Sequence, residues 1–357
     1  MVSIEPQRIL VIRRRYLGDI VLLGSALHNL RLHWPTASIT VLVEGPYRSL
    51  LTLNPHVGLT LTFPRKATEW PAFLLKVRRL RFTHVLDFDN TERTALVARV
   101  TGAPVRATYD RELNRVRARW LYTHFAEMSD ERYRSQPIIE TYHALHVAIG
   151  VPIRSRDVRL EPRAKDLAAA ARLVAGQGPK ILLHPGTRSP YRLWPVERFA
   201  ALADRLQDEL GAQVFVAAGP GELPTANAIR EHAQSHVIVL DQRFTSEQFA
   251  ALLAQFDFLV CHDSGPMHIA TAVGTRVIAL YSSQNATIWR PNGDGHVVLQ
   301  TELPCTCLPA NERPGPCVAG DSYHSYCVRK LSVDTVYTAV AKAIHGLRGP
   351  KGHHPTS

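Results

Sequence analysis

The sequence predicts an α/β protein built from two doubly wound parallel sheets. Short, continuous apolar runs of strand length alternate with longer stretches whose apolar residues recur at helical spacing, and this alternation occurs in both halves of the chain. The length of 357 residues also matches two domains of ordinary size. Each half is long enough to bury a core of its own.

The first half begins with the apolar run 9–13, which we expect to form a buried strand. After a turn at Gly18, apolar residues spaced three and four apart predict one face of a helix, which Pro35 ends. The residues of that face are Ile20, Leu23, Leu27, Leu30 and Trp34. Further strands are predicted at 39–43 and 84–88.

The second half repeats this order, with a strand at 181–184, a loop at 185–194 and a helix from Pro195 to Leu210 that Gly211 ends. Its remaining predicted strands are 213–218, 236–240, 257–261 and 276–281. Its remaining predicted helices are 222–233, 246–255 and 266–273.

The boundary between the halves is expected in the stretch 150–178, which is rich in Gly, Pro and charge. The predicted domains are therefore an N-terminal one at 1–160 and a C-terminal one at 161–330. A last helix is predicted at 331–345, and a disordered tail at 346–357.

The net charge of +11 is unevenly distributed, because residues 1–150 carry +8 and the rest carry +3. A basic first half favours an anionic partner: nucleic acid, an acidic membrane surface or a phosphorylated substrate. The sequence contains no apolar run long enough to span a membrane and no signal peptide, so we expect a cytoplasmic protein. Five cysteines, an odd number in a chain of this size, argue against a disulfide framework.

Ligands of open α/β sheets bind beyond the carboxyl ends of the strands, so the loops that follow strands are the candidate sites. Asp19 stands where the first helix begins, where it either caps the helix or serves as a general base. The loop 184–195 brings two arginines, two hydroxyls and a glycine to a helix start, and is either a phosphate site or an ordinary polar loop.

Two later loops also follow predicted strands, and each is either a ligand site or an ordinary helix start. Gly219-Pro220-Gly221-Glu222 lacks the spacing of a dinucleotide or P-loop motif, and Glu222 either binds a ribose diol or interacts with the helix dipole. The run 263–268 (DSGPMH) combines helix-start residues with His268, and either receives a diphosphate or simply caps the helix.

Other patterns are weaker. Asp87-Phe88-Asp89 is a D-x-D that either binds a metal or ends a strand, and the spacing of Cys305, Cys307, Cys317 and Cys327 does not match structural zinc. Arg111, Arg115 and Arg119 recur every four residues, but no nucleic-acid-binding motif accompanies them.

Taken together, these loops resemble glycosyltransferase family 9, the lipopolysaccharide ADP-heptose heptosyltransferases. The resemblance lies in the runs 8–27 (RILVIRRRYLGDIVLLGSAL), 181–206 (with HPG and W-P-x-E-x-F) and 258–281 (with D-S-G-P-x-H-I-A), and in the cysteine segment 305–331. The run 87–106 is most similar to the heptosyltransferase III-like branch. This resemblance implies a GT-B fold, in which two Rossmann-like domains face one another across a cleft and the C-terminal helix packs back toward the N-terminal domain.

The resemblance also implies an activity, the inverting transfer of heptose from ADP-heptose to a hydroxyl of the lipopolysaccharide inner core, with no metal or other cofactor. It places the catalytic base on Asp19. It places the donor contacts on Thr187, Arg192, Glu222, Asp263, Ser264, Gly265 and His268. Arg192 stands where the family commonly has a lysine, and it keeps the charge with a different geometry.

For the acceptor we predict contacts from Arg13, Arg14 and Arg15 in an acceptor-binding N-terminal domain, with the nucleotide sugar held by the C-terminal domain. We further expect peripheral attachment to an anionic membrane surface at the cytoplasmic face of the inner membrane, and no nucleic acid partner. Two alternatives stay open: another GT-B enzyme, such as an epimerase or a transferase that uses a different nucleotide sugar, and a non-enzymatic nucleic-acid-binding protein.

Overall fold

The computed structural model describes residues 8–116, 118–187, 192–219, 221–282, 284–300 and 327–348. The chain forms two compact units. The first runs as far as Glu161 and also includes the return segment Thr287–Asn292, while the second comprises Pro162–Ala286 and the residues from Gly293 onward. The division after Glu161 lies one residue from the predicted boundary.

The first unit contains a six-stranded parallel sheet in the spatial order β3-β2-β1-β4-β5-β6. Its strands are β1 (Arg8–Ile12), β2 (Ser38–Val43), β3 (Leu59–Thr62), β4 (His84–Asp87), β5 (Val105–Arg111) and β6 (His124–Met128). Its helices are α1 (Leu17–His33), α2 (Arg48–Leu51), α3 (Trp70–Arg79), α4 (Glu92–Thr101), α5 (Asp130–Ser135) and α6 (Ile138–Ala148). The predicted strands at 9–13, 39–43 and 84–88 are confirmed within one residue.

Burial explains why these apolar runs form central strands. Ile9, Leu10, Val11 and Ile12 are all fully buried, which means that both faces of β1 are covered. All five residues of the predicted helical face lie buried along α1 or directly after it. Burying several apolar side chains on each strand provides most of the driving force for such a sheet.

The second unit contains another six-stranded parallel sheet, in the order β12-β11-β10-β7-β8-β9. Its strands are β7 (Lys180–His184), β8 (Gln213–Ala217), β9 (Ile238–Leu240), β10 (Phe258–His262), β11 (Arg276–Leu280) and β12 (Val297–Leu299). Its first helices are α7 (Ala164–Leu173), α8 (Val196–Leu210), α9 (Leu223–His232), α10 (Ser246–Leu253) and α11 (Gly265–Ala272). After these, α12 (Ala286–Trp289) begins at the last residue before the return segment and forms the first part of that segment.

Helix α8 shows how the local sequence sets an element. Phe199, Leu202 and Leu206 recur at helical spacing and are fully buried. Pro195 precedes the first turn, and Gly211 ends the helix in the left-handed region at φ 61°, a conformation that favours glycine.

The last helix, α13 (Val333–Arg348), is longer than the predicted 331–345. Val336, Val340 and Ile344 pack into the core of the second unit, beside α8. The expectation that this helix packs back toward the N-terminal domain stays a prediction. Of the predicted tail, residues 346–348 are helical and residues 349–357 lie outside the described part of the chain.

Both sheets have the strand order of a Rossmann fold, since each can be written 3-2-1-4-5-6 in the order of its own strands. In such a sheet the first and fourth strands are neighbours whose connections diverge to opposite sides. Each unit therefore has one switch point, between β1 and β4 in the first and between β7 and β10 in the second.

Candidate active site

The first candidate site lies at the switch point between β1 and β4. The connection after β1 carries three consecutive arginines into α1, and the connection after β4 carries Phe88 and Asp89 toward α4. The two connections are joined, because the Phe88 N–H donates to the Ile12 carbonyl at 2.9 Å. Residues predicted separately in the two loops are thus brought together.

Asp19 occupies the third position of α1, not its N-cap, and is buried with 5% of its surface exposed. Its Oδ2 accepts the Tyr16 N–H at 3.1 Å, which satisfies one of the unpaired groups at the start of the helix. Its Oδ1 accepts hydrogen bonds from the Arg13 guanidinium and from the Tyr142 hydroxyl, the latter at 2.7 Å. Asp19 therefore both orders the helix start and anchors a cluster of polar side chains.

Tyr142 has no local sequence signal, since 123 residues separate it from Asp19. It reaches the site because buried hydrogen bonds fix α6 against α1, one between the His143 ring and the Ser25 hydroxyl at 2.8 Å and one from the His146 ring to the Ala26 carbonyl at 2.9 Å. Burial raises the pKa of Tyr142 well above its ordinary value. The phenol consequently keeps its proton and acts as a hydrogen-bond donor to Asp19.

The three predicted acceptor arginines have different surroundings. Arg13 points inward, where its guanidinium bonds Asp19, donates to the Phe88 carbonyl at 2.7 Å and pairs with Asp89 at 3.3 Å. Its partners are thus groups of the switch point itself, so Arg13 holds Asp19 in place in this structure.

Arg14 and Arg15 are placed differently. The Arg14 guanidinium pairs with Glu44 at 2.8 Å and lies 5.9 Å from the centre of the Phe63 ring. Arg15 is exposed and lies over the ring of Tyr16. Of the three arginines, Arg14 and Arg15 therefore contact groups other than the Asp19 carboxylate.

Both carboxylates of the D-x-D motif accept hydrogen bonds from main-chain N–H groups of the protein itself. Asp87 is fully buried, accepts the N–H groups of Asp89 and Asn90, and receives the Tyr122 hydroxyl at 2.5 Å. Asp89 accepts the Arg14 N–H at 2.6 Å and pairs with Arg13. Burial raises the pKa of Asp87, and it raises the pKa of Asp89 to about 6. These contacts correspond to the strand-end alternative of the sequence analysis.

No group of three or more His, Cys, Asp or Glu side chains suited to a metal ion occurs among the described residues. Cys261 is a buried free thiol, as expected at the end of a core strand, and Cys327 is also buried. Cys305, Cys307 and Cys317 lie outside the described residues.

A cavity of 480 Å³ adjoins this switch point. It is lined by the start of α4, by Arg14, and by part of the connection between β5 and β6. Three arginines contribute to its walls, Arg14, Arg93 and Arg115, together with the amides of Asn90 and Asn114. Such a lining suits an anionic, hydroxyl-rich molecule.

The second candidate site lies at the switch point between β7 and β10. Burial lowers the pKa of His262, the last residue of β10, to about 3. The imidazole is therefore neutral, and its Nε2 accepts the Trp194 N–H at 2.9 Å. This bond ties the end of the loop 185–195 to the end of β10, so that the predicted phosphate loop and the predicted diphosphate turn are neighbours.

Ser264 is the N-cap residue of α11, in extended conformation, and its side chain makes no capping hydrogen bond. Its Oγ is buried and has no hydrogen-bond partner among the residues that the structure describes. A buried hydroxyl without a partner is costly and calls for an explanation. Because it lies at a helix N-terminus, where the dipole favours anions, a bound phosphate oxygen would satisfy it.

Glu222 lies against the backbone of the phosphate loop. Its Oε2 accepts the Gly219 N–H at 2.8 Å, and a Cβ atom added to Gly186 would stand 2.0 Å from the same oxygen. Residue 186 must therefore be glycine for Glu222 to occupy this place. The loop 219–222 and the loop 184–195, which were predicted as separate candidate sites, are therefore in contact through Glu222 and Gly186.

Arg192 follows the undescribed residues 188–191 and lies beside the diphosphate turn. Its Nη1 is 3.8 Å from Asp263 Oδ2, and the side-chain amide of Gln284 also contacts its guanidinium. Thr187 ends the described part of the loop after β7, while Gly265 and His268 form the first turn of α11. The predicted donor residues are thus gathered around the carboxyl ends of β7, β8 and β10.

Two Rossmann-like units, each with polar side chains collected at its switch point, define the class: the fold is that of GT-B glycosyltransferases. A family model described as glycosyltransferase family 9 (heptosyltransferase) matches residues 71–315, and the chain belongs to this family. It is accordingly a glycosyltransferase of the heptosyltransferase family.

Individual relatives agree. Lipopolysaccharide heptosyltransferase 3 of Escherichia coli is 25% identical in an alignment of 292 residues that covers 78% of this chain and 84% of the relative. A crystal structure of a family 9 glycosyltransferase from Veillonella parvula superposes with a TM-score of 0.79 at 20% identity, over 95% of this chain and 98% of the other. The structure of E. coli ADP-heptose lipopolysaccharide heptosyltransferase II superposes with a TM-score of 0.77 at 21% identity, over 96% of this chain and 100% of the other.

No helix within the described ranges combines the length and the apolar character that crossing a membrane requires.

Proposed function

We propose that this glycosyltransferase moves heptose from ADP-heptose to a hydroxyl of the lipopolysaccharide inner core, with inversion at the anomeric carbon. The observation that carries the proposal is the pair of switch-point sites, one built around a carboxylate and the other around a helix N-terminus with a buried hydroxyl. The names of the relatives supply the donor and acceptor classes.

Asp19 has the capacity to act as the general base. A carboxylate offers about four lone-pair sites. The described contacts use three of them, through Arg13, Tyr142 and Tyr16. The remaining site, on Oδ2, is where an acceptor hydroxyl would donate its hydrogen bond and then its proton.

The proposed reaction is a single displacement. The acceptor oxygen forms a bond to the anomeric carbon as it loses its proton to Asp19, and the bond from that carbon to the diphosphate oxygen breaks. ADP leaves with the bonding electron pair, and attack opposite to the leaving group inverts the configuration. General-base assistance of this kind contributes roughly 10²–10⁴-fold to the rate.

The second unit supplies the groups that would stabilise the departing diphosphate. The Ser264 hydroxyl, the N-terminus of α11 and the Arg192 guanidinium can all interact with phosphate oxygens, and we assign them this role together with His268. Glu222, whose carboxylate accepts the Gly219 N–H and lies beside Gly186 of the phosphate loop, is proposed to accept the ribose hydroxyls. Thr187, Asp263 and Gly265 complete the proposed donor set.

The decisive experiment incubates the protein with ADP-heptose and a series of truncated core acceptors and determines the product masses. Asp19→Asn is expected to fold and to bind ADP while turnover falls by roughly 10²–10⁴-fold. Asp157→Asn, an exposed aspartate of the same unit, is the matched control and should retain its turnover. Unchanged turnover in Asp19→Asn would remove Asp19 as the base.

A nucleotide comparison tests the donor and the main alternative. ADP should raise the melting temperature more than UDP or GDP, and Arg192→Gln and Ser264→Ala should each reduce that shift. Arg205→Gln, which alters a surface arginine paired with Glu209 on α8, is the control for loss of positive charge. A larger shift with UDP or GDP would favour a transferase or epimerase that uses another nucleotide sugar.

We also propose that the acceptor side of the first unit uses Arg14 and Arg15, and that the protein works without a metal, peripherally at the cytoplasmic face of the inner membrane. Arg15 is exposed and Arg14 is partly exposed, and basic groups at a surface suit a phosphorylated acceptor. Transfer that survives EDTA would support the metal-independent reaction, and loss of transfer restored by one particular metal would refute it.

A further inference from the structure

The connection between β5 and β6, residues 112–123, displays two large apolar side chains. Leu113 is 74% exposed and Trp120 is 77% exposed, the highest values for large hydrophobic residues in the described part of the chain. Single exposed apolar residues are ordinary, but two such side chains in one short connection are not.

This display is built into the fold, because Val116 and Leu121, which lie near the two side chains in the sequence, are anchored. Val116 and Leu121 are each 6% exposed and belong to the core cluster of the first unit. The Val116 N–H donates to Asp110 Oδ1 at 3.1 Å. The connection therefore buries some of its apolar residues and holds Leu113 and Trp120 outside.

Arginines accompany the two apolar side chains. The side chains of Arg115 and Arg119 are 62% and 50% exposed, and both pair with the same oxygen of Asp110, which is itself buried. Two cations thus share one carboxylate, which leaves the connection with excess positive charge at its surface. The stretch 106–120 holds five arginines against two acidic residues in total.

We propose that Leu113 and Trp120, with Arg115 and Arg119 beside them, dock the protein onto an anionic phospholipid bilayer. Tryptophan with leucine is the combination that settles at the boundary between headgroups and acyl chains, and the arginines would contact lipid phosphates. The same connection forms a wall of the arginine-lined cavity, through Asn114 and Arg115. Docking would thus bring a lipid-anchored anionic sugar to that cavity, and this last step rests on the proposed function.

Vesicle sedimentation tests the proposal directly. The protein is mixed with phosphatidylcholine vesicles that contain or lack phosphatidylglycerol, and the bound fraction is measured. We expect binding that depends on phosphatidylglycerol and weakens with salt. Leu113→Ser/Trp120→Ser should reduce the partition coefficient roughly tenfold or more, since two large apolar side chains are lost from the interface.

The matched control is Leu75→Ser/Val147→Ser, which removes two apolar side chains that are 50% and 66% exposed elsewhere on the first unit. Its partitioning should equal that of the parent. Should the first double variant fold poorly, the parent itself provides a readout: brominated lipids should quench tryptophan fluorescence, and Trp120→Phe should remove most of that quenching.

Three results would overturn the proposal: binding that does not depend on phosphatidylglycerol, equal losses in both double variants, or self-association through Leu113 and Trp120 without vesicle binding. Transfer to a water-soluble, delipidated core fragment separates this inference from the proposed function. Leu113→Ser/Trp120→Ser should leave that transfer unchanged. Absence of transfer by the parent with every acceptor would refute the proposed function while leaving vesicle docking standing.

Discussion

Asp89→Asn should make the free energy of unfolding respond differently to pH. In the parent protein, burial raises the pKa of Asp89 from the ordinary 3.8 to about 6, although Arg13 lies 3.3 Å away. Asparagine has nearly the same shape and can still accept the Arg14 N–H, but it does not titrate. The variant therefore removes one ionisation while keeping the backbone contact.

The magnitude follows from linkage. Between pH values near 3.8 and 6 the folded protein holds the Asp89 proton more tightly than the unfolded chain, so the stability contributed by this group falls as pH rises. Integrated from about pH 4.5 to about pH 7.5, the loss is about 2 kcal/mol. The free energy of unfolding of the variant, relative to that of the parent, should therefore rise by about 2 kcal/mol over the same pH interval.

Urea unfolding of parent and variant at the two pH values measures this difference. Asp157→Asn serves as the control for replacing an aspartate by asparagine, because that residue is exposed. A difference between Asp89→Asn and its parent that stays constant, or that moves against the variant as pH rises, would refute the argument that Asp89 is a buried acid with a raised pKa.

Two further predictions concern the candidate sites. Tyr142→Phe removes a buried hydrogen bond to the Asp19 carboxylate, so the free energy of unfolding should fall by about 1.5–3 kcal/mol and kcat should fall more than KM changes. Gly186→Ala places a methyl group on the Glu222 carboxylate and should raise the Kd for ADP severalfold, as measured by calorimetry.

Each has a control. Gly346→Ala adds a methyl group where nothing lies within 4 Å, and it should leave ADP binding unaltered. Unaltered binding in Gly186→Ala would show that Glu222 is not needed at the phosphate loop. A Tyr142→Phe protein with the stability and kcat of its parent would show that the hydroxyl does not hold Asp19.

Sequence periodicity predicted the central strands of both sheets, because such strands are buried on both faces and read as continuous apolar runs. It missed β3, β5, β6 and β12. β5 reads VRATYDR and β6 reads HFAEM, so polar residues interrupt both, as is expected toward the edge of a sheet. The arginines spaced every four residues suggested a helical stripe, yet Arg111 ends β5 and Arg119 begins a single 3₁₀ turn.

The residues of the candidate sites could likewise be predicted from the sequence only in part. Residues in loops that follow strands, such as Asp19 and Ser264, could be selected because strand order places those loops at one sheet edge. Tyr142 could not, since only the packing of α6 on α1 brings it to Asp19. The sequence could not predict that Arg13 points inward, because nothing in it distinguishes the three consecutive arginines from one another.

The return segment Thr287–Asn292 has a practical consequence for protein engineering. Because it belongs to the first unit, the polypeptide passes between the units three times, and neither unit is one uninterrupted stretch of sequence. A fragment that stops at Glu161 would lose this segment, including the 3.0 Å hydrogen bond from the Asn292 side chain to the Arg156 carbonyl. Chimaeras that exchange one unit with that of a relative should therefore use two splice sites flanking residues 287–292, in addition to the one at 161/162.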